Sequence, residues 1–268
     1  MGQLIRLNRL VDSRRKCVIA ALDAGGFFGP YQGLSDIEKA SGQLSEADAI
    51  LIEPGSIYTC KKVFLGSSPP LLITRLNWNT DYCFQWNYNK SKIVKSLSPY
   101  QAIAMGAEAG IASLSINTGD EDNDAANVGL FTEILEEAMQ VGLPIIGEIY
   151  PPRKKYKKGE FENLILKSAR IAMELGANAI KTFYIEEIFK DLTGSLAVPV
   201  FALGGEKKDT ELEALETAEK SVKDGARGVV YGRNLYQSSN PASFLKALKD
   251  VVNSRLNARD AAEKYGLR

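Results

Sequence analysis

The sequence predicts a single domain, residues 1–268, with an α/β fold that closes into a (β/α)8 TIM barrel. Its length of 268 residues fits one such barrel, which typically takes about 250 residues. Eight short apolar runs recur along the chain, and helical patterns lie between them. Strand–helix alternation of this kind indicates a parallel sheet. Eight strands favour closure into a barrel, and an open doubly wound sheet is the alternative.

The eight apolar runs are interpreted as strands because most are too short for helices and are bounded by Gly, Pro or Asp. In chain order they are CVIAALD from Cys17, AILIE from Ala49, LLITRL from Leu71, ASLSIN from Ala112, PIIGEIY from Pro144, NAIKTFY from Asn178, VPVFALG from Val198 and GVVYG from Gly228.

The helical patterns between these runs carry recognisable end signals. Patterns over 98–109, 131–141, 162–175 and 210–224 are each followed directly by glycine. Glycine just past the last helical residue takes the left-handed conformation that commonly ends a helix. Asn240 and Pro241 supply an N-cap and a first-turn proline for the helix FLKALKDVV.

Composition and charge exclude several classes of protein. The formal net charge is zero, so we expect no nucleic-acid partner and no binding to an acidic membrane surface. No apolar run approaches the roughly 18 residues that span a bilayer, and the N-terminus lacks the pattern of a secretory signal. The three cysteines show no CxxC spacing, which favours reduced thiols in the cytoplasm and argues against structural zinc.

The chain contains no histidine, and this limits its chemistry. Catalysis by serine–histidine or cysteine–histidine pairs is excluded, and so is most zinc chemistry. General acid–base catalysis would therefore fall to carboxylates, tyrosine, lysine or water.

Two glycine turns late in the chain predict a phosphate site. Gly204 and Gly205 follow the seventh predicted strand, and Gly232 and Arg233 follow the eighth. Many barrels bind phosphate with these two loops and a short helix after them. Glycine lets the backbone approach an anion, and arginine adds a charge-assisted hydrogen bond. Each motif alone is also an ordinary turn, but the pair at consecutive strand ends favours phosphate binding.

Lys181 is an anomaly, because it lies in the middle of a strand that should be covered on both faces. A charged lysine buried without a partner is costly. Desolvation favours the neutral amine, which is the form that attacks a carbonyl group. The alternative is a lysine paired with a buried carboxylate or a bound phosphate, and the sequence does not distinguish the two.

Other polar residues stand at strand ends, where the active sites of barrels lie. Tyr150 ends the fifth strand and is either a general acid or a tyrosine packed at the rim. Asp23 ends the first strand and either contacts a substrate hydroxyl, balances Lys181 or caps a turn. Glu148 shares the strand face of Tyr150. Further candidates at similar positions are Glu53, Arg75 and Asn117.

The segment 77–92, NWNTDYCFQWNYNKSK, is aromatic and polar and follows the third predicted strand. In a barrel, this position lies on the face that carries the active site. The segment is therefore either a lid over the site or a surface excursion that makes an oligomer contact.

The chain resembles the class I aldolases of the archaeal fructose-bisphosphate aldolase type. This DeoC/FbaB family also includes aminodideoxyheptulosonate synthase and the autoinducer-2 phosphate thiolase. The similarity covers nearly the whole chain and is strongest in ELGANAIKTFY, VPVFALGGEKK and GARGVVYGRNLYQSSNP. It implies a TIM barrel that acts on a phosphorylated sugar or ketone. It also implies a homo-oligomer of the ring type, such as a decamer.

The resemblance also implies roles for individual residues. Lys181 matches the Schiff-base lysine, Tyr150 the tyrosine that donates and accepts protons, and Asp23 the aspartate that contacts substrate hydroxyls. The resemblance implies no cofactor and no metal, because the imine replaces a Lewis acid. The residues that match the phosphate-binding loops are Gly204, Gly205, Gly232 and Arg233.

Two departures from the family pattern leave the substrate open. Ala24 stands where the family has histidine, and YPPR replaces a YPRG-like motif. The leading hypothesis is a fructose-1,6-bisphosphate aldolase-like enzyme with dihydroxyacetone phosphate as donor. The alternatives are a thiolase or transaldolase, a barrel isomerase or epimerase, and a non-catalytic protein that binds a sugar phosphate.

Overall fold

The computed structural model describes residues 1–12 and 15–267. Within them, strands and helices alternate along the chain as the sequence predicts. The strands are β1 (Cys17–Ala21), β2 (Ala49–Ile52), β3 (Leu71–Arg75), β4 (Asn77–Asn79), β5 (Ile93–Lys95), β6 (Ala109–Leu114), β7 (Ile145–Ile149), β8 (Ala179–Phe183), β9 (Val200–Leu203) and β10 (Gly228–Tyr231).

Eight of these strands form a closed parallel barrel in the order β1-β10-β9-β8-β7-β6-β3-β2. Closure is made by β1, which pairs in parallel with both β10 and β2. The predicted (β/α)8 barrel is confirmed, and the open sheet is excluded. The strands β4 and β5 form a separate antiparallel hairpin that begins inside the aromatic segment 77–92.

Helices lie between the strands of the barrel. They are α1 (Gly2–Leu10), α2 (Gly25–Phe28), α3 (Ile37–Gln43), α4 (Lys61–Phe64), α5 (Pro99–Ala104), α6 (Glu121–Val141), α7 (Glu160–Glu174), α8 (Glu186–Ser195), α9 (Glu211–Lys223), α10 (Arg233–Tyr236), α11 (Pro241–Val252) and α12 (Ala258–Lys264). Among the described residues, none of these helices is long and apolar enough to cross a membrane.

The predicted end signals hold for most helices. Gly142 ends α6 in the left-handed conformation, and the Asn240 side chain caps α11 by accepting from the backbone N–H of Ser243. The predicted helix over 98–109 is wrong at its end. It stops at Ala104, a turn at Gly106 with φ +90° follows, and β6 begins at Ala109 because the run AGIASL is buried throughout.

The barrel interior is filled with small and branched apolar side chains at alternate strand positions. Its members include Ile19, Leu51, Ile73, Ile111, Ile146, Ala179, Phe201 and Val230, and Leu10 of α1 belongs to the same cluster. Because side chains alternate along a strand, the next inward positions lie one layer higher, toward the carboxyl ends of the strands. Polar residues at those positions therefore rest on an apolar floor.

Candidate active site

Lys181 and Glu148 lie side by side above this apolar floor. The strand register pairs Glu148 of β7 with Lys181 of β8, and it pairs Ile146 with Ala179 one layer below. Glu148 is 2% exposed and Lys181 is 6% exposed, and Nζ of Lys181 forms an ion pair with Oε1 of Glu148. The sequence left open whether Lys181 has a buried carboxylate partner, and Glu148 is that partner.

Arg75 of β3 is a second buried cation and contacts three carboxylates. It donates to Oδ2 of Asp23 from Nε at 2.9 Å and from Nη2 at 2.6 Å. Its Nη1 lies 2.8 Å from Oε2 of Glu148, and its Nε lies 3.8 Å from Oε1 of Glu53. Glu148 therefore joins Lys181 to Arg75. Asp23 is held by Arg75, so the role of balancing Lys181 belongs to Glu148, its neighbour in the strand register.

The charges of this cluster keep Glu148 and Arg75 ionised. Burial opposes ionisation of Glu148, but Arg75 and Lys181 outweigh it and lower the pKa of Glu148 to about 2. Burial also disfavours the charge on Arg75, yet Glu148 and Asp23 raise the pKa of Arg75 well above its usual value. At neutral pH, Glu148 is thus a fixed anion beside the Lys181 nitrogen, where it can stabilise positive charge.

Glu53 behaves differently from the other carboxylates around Arg75. Burial raises the pKa of Glu53 to about 7; Arg75 opposes this shift, and repulsion from Asp23 and Glu148 adds to it. The carboxyl group is tightly packed, since a Cβ atom on Gly26 would lie 2.4 Å from its Oε1. Glu53 is therefore a group in this cluster that titrates near neutral pH.

Tyr82, from the segment 77–92, contacts the charged cluster directly. Its hydroxyl donates to Oε2 of Glu148, and the guanidinium of Arg75 lies 5.1 Å from the centre of its ring. Burial, followed by the negative charge of Glu148, raises the pKa of Tyr82 well above its usual value. Tyr82 therefore stays a protonated phenol that holds Glu148 in place.

The segment 77–92 is anchored to the barrel by buried amides. The Asn77 side chain donates to the carbonyl oxygen of Ser113 at 2.8 Å and accepts from its N–H at 2.9 Å. Two aromatic side chains of the segment, Tyr82 and Phe84, line the cavity that contains Lys181. Trp86 is 46% exposed. This placement favours the site interpretation of the segment over a plain surface excursion.

Tyr150 follows β7 and packs between two rings. Its ring centre lies 4.3 Å from that of Tyr82 and 5.6 Å from that of Phe183. Burial, followed by the charge of Glu148, raises the pKa of Tyr150 well above its usual value. The phenol is therefore protonated at neutral pH, and it can act first as a proton donor.

The glycine turns after β9 and β10 need glycine for two different reasons. A Cβ atom on Gly204 would lie 2.9 Å from the ring of Tyr231, and Gly205 has φ +67° in the left-handed region. Gly232 and Arg233 line the same cavity as these two glycines. The turns therefore bring exposed backbone and a cationic side chain to one place.

A buried asparagine holds these two turns together. The Asn234 side chain, 1% exposed, donates to the carbonyl oxygens of Gly204 at 3.0 Å and Glu206 at 2.9 Å. It accepts from the backbone N–H of Lys208 at 2.9 Å. No sequence motif marks Asn234 as a site residue, although its place directly after Arg233 is a usable signal.

One cavity of about 400 Å³ brings the predicted site residues together. Asn117 lies outside it, in a separate depression that Lys154 also lines, so the expectation for Asn117 is wrong. Glu53 contacts Arg75 but is not part of the cavity lining. Arg75 and Glu148 do line the cavity. Every residue to which a catalytic or phosphate-binding role was assigned is among its lining: Lys181, Tyr150, Asp23, Gly204, Gly205, Gly232 and Arg233.

The cavity also contains residues that the sequence analysis missed. Phe27 and Phe28 of α2 contribute rings to it, as do Phe84 and Tyr236. Their only signal is composition, because a four-residue helix shows no periodicity. Aromatic pairs next to glycine, as in GGFFG, do not indicate which way the rings point.

A second depression, of about 800 Å³, has a different character. Its cations are already paired: Arg15 and Lys249 with Asp48 at 3.7 and 3.1 Å, and Lys62 with Glu38 at 2.7 Å. The cations of these pairs keep between 30% and 79% of their side-chain surface exposed, as on a solvated surface. Across residues 1–12 and 15–267, no cluster of three or more Cys, Asp or Glu side chains is arranged to hold a metal ion.

The closed barrel, with a buried lysine and two glycine turns in one cavity, is a (β/α)8 barrel with the fold of class I aldolases. A family model described as DeoC/LacD family aldolase matches residues 17–238. The chain belongs to this family.

Several relatives are similar over nearly the whole chain. An uncharacterised aldolase of Saccharolobus solfataricus is 28% identical over 97% of this chain and 98% of its own length. A 3-hydroxy-5-phosphonooxypentane-2,4-dione thiolase of Klebsiella pneumoniae is 29% identical over 97% of this chain and 84% of its own length.

Solved structures agree with this assignment. An archaeal fructose 1,6-bisphosphate aldolase superimposes with a TM-score of 0.79 and 25% identity, over 94% of this chain and 99% of its own. A structure of a Schiff base forming fructose-1,6-bisphosphate aldolase, from a structural analysis of its reaction intermediates, superimposes with a TM-score of 0.80 and 26% identity. The match covers 93% of this chain and 99% of that chain.

Proposed function

We propose that this protein is a class I aldolase that forms an imine between Lys181 and a phosphorylated ketose. It then cleaves or forms the adjacent carbon–carbon bond. The observation that carries the proposal is the cavity itself, in which the buried amine of Lys181 and both glycine turns meet. The aldolase structures and the thiolase relative named above support a phosphorylated substrate. We take dihydroxyacetone phosphate as the donor, as in a fructose-1,6-bisphosphate aldolase.

The reaction begins when the ammonium group of Lys181 gives up a proton to water and the resulting amine attacks the ketone carbon, after which water is lost. The protonated imine then draws electrons from the adjacent carbon–carbon bond, so no metal is required as a Lewis acid. Glu148, ionised and in contact with the same nitrogen, stabilises the imine cation. The sequence-based hypothesis gave this role to Asp23, and the ion pair favours Glu148.

Tyr150 and Asp23 handle the hydroxyl groups of the substrate. In the cleavage direction, the phenol of Tyr150 first releases its proton to water beside the imine cation; the phenolate then takes the hydroxyl proton of the departing aldehyde and later protonates the enamine. In the opposite direction the phenol donates to the aldehyde oxygen. Its raised pKa keeps the phenol protonated until the donor step. Both Arg75 hydrogen bonds end on Oδ2 of Asp23, which leaves Oδ1 for a substrate hydroxyl.

The glycine turns and Arg233 would hold the substrate phosphate. Anchoring the phosphate fixes the position of the ketone relative to Lys181. Orientation of this kind can contribute about 7–11 kcal/mol to catalysis. Asn234 would preserve it by keeping the two turns in a fixed relation.

Trapping the imine tests the proposal. The protein is incubated with dihydroxyacetone phosphate or fructose 1,6-bisphosphate and reduced with borohydride, and intact and peptide masses are measured. We expect one stable adduct, located on Lys181, and none in Lys181→Met. The matched control is Lys190→Met, an exposed lysine of α8, which should be trapped like the wild type. No adduct with any ketose phosphate, together with full turnover by Lys181→Met, would refute the mechanism.

A thiolase or transaldolase is the second candidate, favoured by the 29% identity to the Klebsiella pneumoniae thiolase. It would use the same imine and a different acceptor. Product analysis separates the candidates, since an aldolase releases an aldehyde and a thiolase makes a thioester when a thiol is supplied. A non-catalytic sugar-phosphate-binding protein would bind the ketose with neither turnover nor a trapped imine.

We further propose that the protein acts as a cytoplasmic homo-oligomer of the ring type, consistent with the family resemblance. Light scattering coupled to size-exclusion chromatography tests this proposal. A monomeric mass at micromolar concentration would contradict it.

A further inference from the structure

One wall of the cavity around Lys181 is built from contiguous aromatic rings. The ring centres of Phe27 and Tyr82 are 4.5 Å apart, those of Tyr82 and Tyr150 are 4.3 Å apart, and those of Tyr150 and Phe183 are 5.6 Å apart. These are the distances of interacting aromatic pairs. All four rings line the cavity, so any group bound beside Lys181 meets this ring wall.

A second pair of rings extends the same surface. Phe28 and Phe84 lie 5.5 Å apart and both line the cavity, and Phe28 stacks on Tyr31 at 4.7 Å. Ala24 adds a methyl group to the lining. This part of the cavity therefore offers apolar area and few hydrogen-bonding groups.

The charges that line the cavity cancel. The cations are Lys181, Arg75 and Arg233, and the anions are Asp23, Glu148 and Glu206. The ion pairs with Glu148 and Asp23 occupy the first two cations. Among the described residues that line the cavity, the remaining cation is Arg233, which lies beside the glycine turns. A phosphate monoester carries about −1.5 to −2 charges at pH 7, and the described residues of the lining supply one cation outside these ion pairs for a phosphate and none for a second.

A cation that packs on Phe84 from outside this lining, Arg153, is engaged elsewhere. The guanidinium of Arg153 stacks on Phe84, 5.2 Å from the ring centre. Its Nη1 donates to the carbonyl oxygens of Cys83 at 3.4 Å and Trp86 at 3.3 Å. A second phosphate at the ring wall would displace these contacts or remain unpaired, which is costly for a buried charge.

Arg233 is the cation left for a phosphate, and the ring wall is apolar. We therefore propose that the acceptor, which binds at the ring wall, is an unphosphorylated aldehyde that carries an aromatic group. The aromatic group packs on the ring wall while the donor phosphate lies at Arg233. The inference rests on the imine mechanism proposed above. In the bond-forming direction, the phenolate of Tyr150 takes a proton from the carbon next to the imine to give the enamine, and the enamine carbon attacks the aldehyde carbon. One carbon–carbon bond forms as the π bond of the aldehyde breaks, and the aldehyde oxygen takes the proton back from Tyr150. Hydrolysis of the resulting imine releases the product.

The test compares two acceptors with the same donor. With dihydroxyacetone phosphate fixed, kcat/KM for aldol addition is measured with benzaldehyde and with glyceraldehyde 3-phosphate, and the donor imine is trapped by borohydride in parallel. We expect kcat/KM for benzaldehyde to be at least tenfold higher. A trapped imine with glyceraldehyde 3-phosphate preferred would overturn this inference and leave the proposed function intact. No trapped imine would overturn the proposed function and the inference with it.

A pair of variants tests the rings that extend the ring wall. Phe84→Ser should lower kcat/KM for benzaldehyde about two- to tenfold, the range expected for the loss of one ring contact, and leave imine trapping unchanged. The matched control is Tyr88→Ser. Tyr88 is exposed to a similar degree, 45% against 41%, and packs on Trp86 at 5.5 Å. An equal loss in both variants would contradict a specific role for the ring wall.

Discussion

Replacing Glu148 by glutamine would test the buried charge cluster most directly. Glutamine keeps the size of the side chain and removes the negative charge that Lys181 and Arg75 share. The folded pKa of about 2, against an ordinary 4.5, corresponds to about 3 kcal/mol of stability at neutral pH. Breaking a buried ion pair by removing one partner generally costs about 3–5 kcal/mol. We therefore expect Glu148→Gln to lose about 3 kcal/mol at pH 7.

The pH dependence gives this prediction its sign. A carboxyl group whose pKa is lowered on folding stabilises the protein fully above pH 4.5, and the stabilisation is lost as the pH falls toward 2. The difference between wild type and Glu148→Gln should therefore shrink from about 3 kcal/mol at pH 7 to about half of that at pH 3.

The assay is the free energy of unfolding in urea at both pH values. The control is Glu186→Gln, which removes an exposed partner of Lys220 at 2.9 Å and should leave stability unchanged at either pH. A loss below about 1 kcal/mol at pH 7, or the same loss at pH 3 and pH 7, would refute the reasoning about the cluster.

Three further substitutions test the remaining groups. Tyr150→Phe should lower kcat about 10²- to 10⁴-fold and preserve borohydride trapping, because the phenol acts after the imine forms. Arg233→Gln should raise KM for dihydroxyacetone phosphate at least about tenfold, through loss of a charge-assisted hydrogen bond, with trapping at saturating donor retained. A carboxyl group whose pKa is raised from 4.5 to about 7 on folding costs the wild type stability as the pH rises through this range. In urea unfolding, Glu53→Gln should therefore become more stable than wild type above pH 4.5, by up to about 3 kcal/mol at pH 8.

Each of these predictions has an outcome that contradicts it. Full activity in Tyr150→Phe would assign proton transfer to another group. An unchanged KM in Arg233→Gln would separate the glycine turns from phosphate binding. Parallel pH–stability curves for wild type and Glu53→Gln would show that Glu53 ionises with its ordinary pKa.

Much of the barrel follows from short-range signals in the sequence. Strand runs bounded by Gly, Pro or Asp and helices ended by glycine both depend on local backbone conformation. The start of α6 was missed because its first turns are polar: the helix begins at Glu121, behind the N-cap Asp120, whereas the apolar pattern begins only at Phe131. Hydrophobic periodicity therefore locates the part of a helix that packs, and capping signals are needed for the rest.

The partners within the site could not be derived in the same way. Strand alternation places Lys181 and Glu148 on inward faces, but only the register between β7 and β8 makes them neighbours. That register is set by closure of the whole barrel. The contact of Tyr82 with Glu148 depends further on the β4–β5 hairpin. Pairwise contacts between distant segments are thus a property of the closed fold.

The lack of histidine gives Glu53 a consequence for catalysis. A transition near pH 7 in a rate profile is usually ascribed to histidine, and this chain has none. The carboxyl group of Glu53 has a pKa of about 7. Its Oε1 lies 3.8 Å from Nε of Arg75. When Glu53 ionises, the positive charge of Arg75 interacts with one more carboxylate. It then offsets less of the negative charge of Glu148. The negative potential at Lys181 then increases, which favours the imine cation. We therefore expect imine formation to strengthen as the pH rises through 7, and Glu53→Gln to remove that transition while Lys181 can still be trapped.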